Sequence, residues 1–189
     1  AFAAAVKADP KAAARLVSRL SAVRAGEFLA KAARDNASST AATLLAVREE
    51  APEAFKSVFI AAIENDTAAL AGTFVQMITQ DSGAAANALV DIAKESEIAA
   101  GKLFAATAAL DSERATAALL LATQVDPQAS SNAFRQAALI DDKAAGGVFA
   151  LFSKANTDLA GATMARVAAQ DTSAMARAFV FSSAADPVS

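Results

Sequence analysis

The sequence contains no cysteine, histidine, tryptophan or tyrosine, and only seven glycines and four prolines among its 189 residues. Without cysteine there can be no disulfide and no thiolate metal site, whatever the redox poise of the compartment. The missing side chains also remove the commonest general base, the thiol nucleophile and the best stacking platforms, so the chain is expected not to be an enzyme. Valine, isoleucine and threonine never alternate as a half-buried strand requires, and no sheet is expected. With no strand for a glycine-rich loop to follow, Gly146–Gly147 reads as packing, and no cofactor is expected. The longest uncharged apolar stretches, such as Leu103 to Leu110 and Ala117 to Ala122, fall far short of the roughly 20 residues of a spanning helix. A net charge of -3, with lysine and arginine dispersed among acids, predicts no nucleic-acid partner.

What is abundant is alanine, 57 of the 189 residues, a composition that favours helices with closely approaching backbones. A search for internal periodicity finds Asp66, Asp81, Ser96, Asp111, Asp126, Asp141, Asn156, Asp171 and Asp186, each fifteen residues from the next. The frame extends backward through Ala51, Asn36 and Ser21. Short polar side chains at this position can accept hydrogen bonds from the exposed amides of a helix's first turn, which predicts N-caps at Asp66, Asp81, Asp111, Asp126, Asp141, Asn156 and Asp171. Proline follows directly at Pro52, Pro127 and Pro187, where its missing N–H costs nothing. Such a ladder of aspartates could also suggest calcium sites, but each carboxylate is already assigned to backbone amides.

Eight residues beyond each cap stands a large apolar side chain: Leu29, Leu44, Phe59, Phe74, Leu89, Phe104, Leu119, Phe134, Phe149, Met164 and Phe179. This column is expected to be the core of the repeat. Positions four and eleven, including Phe55, Leu70, Val47, Met77, Ile92, Phe152 and Val167, widen it to an amphipathic stripe. Positions two, six and thirteen collect charge on the opposite face. Fifteen residues divide into about twelve helical ones and a connection of two or three, so consecutive helices are expected to run antiparallel. Helices this short are marginal alone and gain stability only by laying their stripes on neighbours. Gly72, Gly101, Gly146–Gly147 and Gly161 are expected to let the axes come close. Thr43, Thr73 and Thr163 share position seven, but apolar residues interrupt the column, which argues against an ice-binding face.

The predicted fold is therefore all-α, an α-solenoid of about twelve short antiparallel helices in one array over residues 1–189. Residues 1–20 form irregular first helices, 21–186 the regular repeats, and 187–189 the start of a further one. Solenoids normally end in polar caps, whereas the segments around Phe2 and Val6, and around Phe179, Val180 and Phe181, are apolar. These five residues are the expected end contacts, with the protein itself, a longer parent chain or another protein as partner. The expected function is a non-enzymatic rigid rod or spacer in a fibre, appendage or surface layer, at or outside the cell surface. A solenoid that binds a peptide or protein, and an amphipathic coat of a lipid or polymer granule, are the alternatives.

Overall fold

The computed structural model describes residues 6–185, and they are all-α. After a helical turn at residues 6–8 come α1 (Pro10–Val17), α2 (Ala22–Asp35), α3 (Ala37–Glu50), α4 (Pro52–Asn65), α5 (Thr67–Gln80) and α6 (Ser82–Glu95). They are followed by α7 (Glu97–Leu110), α8 (Ser112–Val125), α9 (Pro127–Ile140), α10 (Asp142–Ala155), α11 (Thr157–Gln170) and α12 (Thr172–Ala185). No strand is present among the described residues. The molecule is a helical-repeat solenoid, as the fifteen-residue frame requires.

The division of the repeat differs from the expected twelve plus three. From α2 onward each helix has fourteen residues, about 21 Å, and from α3 onward a single junction residue separates each helix from the one before. One residue is enough because its groups serve both helices. Asp81 N–H donates to Met77 O at 2.8 Å, closing α5, and its carbonyl accepts from Ala85 N at 3.0 Å, opening α6. Its extended backbone, φ -156° and ψ 95°, turns the chain between them. The side chain then caps Ala84 N at 2.8 Å. Proline at the first position of α1, α4 and α9 needs no donor there.

Packing is densest between helices two apart in the chain, so odd- and even-numbered helices build two rows. In the pair α7 and α9, Glu97 meets Asn132 while Gly101 faces Gln136, the same 35-residue offset at two points one turn apart. A constant offset means parallel axes, as alternation of direction along the chain demands. The core is one continuous cluster running from Ala14 to Ala178. Leu29, Leu44, Phe59, Phe74, Leu89, Phe104, Leu119 and Phe134 are fully buried in it, as are Phe55, Leu70, Met77, Ile92 and Phe152. Burying each such side chain contributes roughly 1.5–3 kcal/mol. Phe104 and Phe134 also meet edge to face, with ring centroids 6.4 Å apart.

Candidate docking site at the array end

The polar residues inside the array are bound within it. Asp66, Asp111, Asp141 and Asn156 cap Ala69, Arg114, Ala144 and Leu159 N–H at 2.9–3.0 Å. Asp126 accepts from both Gln128 and Ala129 N–H at 3.0 Å, and Asp171 from Ser173 and Ala174. Ser21, although in frame, makes no capping bond with its side chain, and neither does Ala51. The threonines of position seven are core rather than surface: Thr43, Thr73 and Thr163 are buried, and their hydroxyls donate to the carbonyls of Ser39, Ala69 and Leu159 four residues earlier. Ser130 and Ser131 are likewise buried, both donating to Pro127 O.

Some junction carboxylates also tie helices together with their second oxygen. Asp66 caps α5 and receives the Arg34 guanidinium from the end of α2, while Asp126 caps α9 and receives Lys94 Nζ at 2.9 Å from the end of α6. Asp111 holds its own repeat's Arg114. Backbone amides first, and these cations next, lower the Asp66 and Asp126 pKa values below the ordinary carboxylate range. For Asp111 the Arg114 amide dominates, against some desolvation. Arg48 reaches Asp91 at 3.0 Å, linking α3 to α6, and Arg135 of α9 is bound to Glu97 of α7. Among the described residues no group of three acids could hold a metal ion.

Glycine reveals how the rows are spaced. A Cβ on Gly26 would lie 2.7 Å from the Ala61 carbonyl carbon and 2.8 Å from Ala62 N. On Gly146 it would lie 2.9 Å from Ala178 O, and on Gly101 3.0 Å from a backbone carbon of Gln136. All three occupy position five of the repeat, and each accepts the backbone of the helix two further along, around position ten. The most intimate helix pairs, α2 with α4, α7 with α9 and α10 with α12, are the three with this glycine. Gly26 was not among the glycines singled out from the sequence, although its shared position with Gly101 and Gly146 was the available signal. Gly72 and Gly147, at position six, have nothing near, so they do not bring axes together.

Gly161 is the fourth position-five glycine, and open space lies above it. It belongs to α11, which lacks a helix two further along among the described residues and has no intimate partner. The same end shows the other departures from the expected core column. Phe149 is only partly buried, Met164 is nearly covered, and Phe179 on α12 is 59% exposed. The position-eight side chains lose cover here because the helices that would complete their surroundings are missing from the described array. Val180 is 60% exposed and Phe181 36%, the latter resting partly on Gly146.

At the first end the outcome is different. Val6, expected as an end contact, is only 1% exposed and packs with Ala13 and Ala32, because the turn at residues 6–8 folds back onto α1 and α2. Phe2 lies outside the described residues. Of the expected end contacts among the described residues, those left exposed are Phe179, Val180 and Phe181, and with Gly161 they form the candidate docking site at the α11–α12 end. An open groove of about 710 Å³ between α1, α3 and the α5–α6 junction is lined by Lys11, Arg48, Glu49 and Gln80, a mixed set in which Arg48 is already bound to Asp91.

No helix among the described residues is long and apolar enough to cross a membrane. No family model matches the chain, and no curated protein or solved structure matches it significantly. The fold class is thus the whole of the classification: an all-α helical-repeat solenoid.

Proposed function

We propose that the chain is a non-enzymatic structural module, a rigid helical-repeat rod or spacer that docks through its α11–α12 end onto a further helix of the same kind, in another copy or an adjoining protein segment. The observation that carries this reading is the open register above Gly161. Where the same glycine occurs at Gly26, Gly101 and Gly146, a helix two further along lies against it, and the end without that helix is the end where Phe179 and Val180 are exposed. Support for rigidity comes from the continuous core and from ion pairs that bridge helices two and three apart.

Gly161→Leu tests the reading. With nothing within 4 Å of its Cβ, the substitution leaves the isolated chain at least as stable, since leucine favours helix by up to about 1 kcal/mol over glycine. It fills the seat of the incoming helix. Sedimentation velocity across a range of concentrations is expected to show end-to-end association for the native chain and its loss in Gly161→Leu. A native chain that stays monomeric at all concentrations, with no protein captured at this end, would sink the proposal.

A further inference from the structure

The charges of this chain are segregated. Residues 1–34 carry seven lysines and arginines against two acids, a net +5, while residues 35–189 carry ten against eighteen, a net -8. The folded array sharpens the contrast. Arg15 and Arg34 are tied to Glu50 and Asp66, but Lys7, Lys11, Arg19, Arg24 and Lys31 are exposed and form no ion pair among the described residues. Lys11 and Arg15 stand one turn apart on α1, and Arg19 continues the row in the turn that follows.

Exposed apolar side chains accompany these cations. Leu16 is 47% exposed beside the α1 row, and Val23 and Phe28 on α2 are 63% and 42% exposed. At 100° per residue, Val23 and Phe28 flank the arc of α2 that holds Arg24, Lys31 and Arg34 together with the exposed acids Glu27 and Asp35. Over residues 6–35 seven exposed cations stand against three exposed acids, Asp9, Glu27 and Asp35, and a net-positive surface edged by exposed leucine, valine and phenylalanine is the composition of one that lies in the headgroup layer of an anionic bilayer. A nucleic acid would use the cations but leave the apolar edge uncompensated. A second copy offers a poor counter-surface, because many of its acids are held as caps or in pairs between helices.

We infer that the α1–α2 end is a peripheral docking face for a membrane rich in anionic lipid, with Lys11, Arg19, Arg24 and Lys31 meeting headgroups while Leu16, Val23 and Phe28 enter the interface. The face lies at the opposite end of the array from Phe179 and does not depend on the docking proposed there.

Vesicle flotation of the full chain tests this, with phosphatidylcholine vesicles against vesicles of about one-third phosphatidylserine at low salt. Binding is expected to the anionic vesicles only, and to fall as salt screens it. Lys11→Glu, Arg19→Glu, Arg24→Glu and Lys31→Glu together are expected to weaken binding by roughly a hundredfold or more, with far-UV circular dichroism unchanged. Lys102→Glu with Lys143→Glu, the same reversal elsewhere, is expected to change it less than about twofold. Leu16→Ala, Val23→Ala and Phe28→Ala together are expected to remove the binding that survives high salt. Absence of binding to anionic vesicles, equal binding by the first and second charge variants, or tighter binding to duplex DNA than to vesicles would overturn the inference.

Discussion

The spacing of the two helix rows makes one glycine substitution stabilising and another destabilising, although both replace glycine by alanine within a helix. In Gly72→Ala the new methyl meets nothing within 4 Å, so only the backbone term operates, and alanine stabilises by up to about 1 kcal/mol. In Gly26→Ala the same gain is opposed by contacts of 2.7 Å to the Ala61 carbonyl carbon, 2.7 Å to its Cβ and 2.8 Å to Ala62 N. Two of those three atoms are backbone and the third is a Cβ, so no flexible side chain can swing aside and α4 has to move as a unit. Overpacking of this kind costs about 1–3 kcal/mol, which exceeds the propensity gain over most of that range. The two variants should differ by about 1–3 kcal/mol. Urea unfolding followed at 222 nm measures this as a displacement of the midpoints in opposite directions from the native chain at similar slope. If Gly26→Ala proved as stable as Gly72→Ala, the close approach of α2 and α4 through position five would be wrong, and with it the reasoning that leaves a seat at Gly161.

The position-eight column predicts a second contrast: Phe104→Ala, fully buried against Phe134, should lose about 3–5 kcal/mol, while Phe179→Ala should lose under about 1 kcal/mol in the monomer, both read from urea midpoints. Asp81→Ala removes a cap with no salt bridge and should cost about 1 kcal/mol by the same assay. The lowered pKa values of Asp66, Asp111 and Asp126 mean that the folded state binds protons there less readily than the unfolded chain. Their contribution is complete above the unfolded carboxylate range near pH 4 and disappears as pH falls through the folded values. Asp66→Asn with Asp126→Asn keeps the capping oxygens but not the bonds to Arg34 and Lys94, so its deficit relative to the native chain, measured by thermal melts from pH 7 to pH 2, should vanish at the acid end.

Much of the fold was legible in one dimension because the repeat marks itself with local chemistry. A cap such as Asp126 followed by Pro127, and a knob such as Phe134 eight residues later, act through the first turn and one face of a single helix. These are effects of sequence spacing, and no knowledge of the partner helix is needed to read them. The length of the junction was less legible: one extended residue suffices because its N–H closes one helix while its C=O opens the next, at Ala51 as at Asp81, which the spacing of the caps does not reveal. The exposure of the apolar end residues was legible in part. Phe179, Val180 and Phe181, expected as end contacts for their apolarity, are exposed, but Val6 is equally apolar and is covered by Ala13 and Ala32.

By itself, then, the sequence determined the helical class, the fifteen-residue period, the caps and the position of the apolar column, since each depends on interactions within about two turns of helix. The tertiary structure alone decided that helices two apart are the closest neighbours, that Gly26, Gly101 and Gly146 are contact points while Gly72 and Gly147 are not, and that Thr43 and Thr73 face the core. It also decided that Gly161 has open space above it among the described residues, and where the exposed cations of the first two helices lie. These properties depend on contacts between residues 32 to 43 apart. A glycine or a valine carries no local mark of whether a neighbouring helix, at that distance along the chain, will cover it.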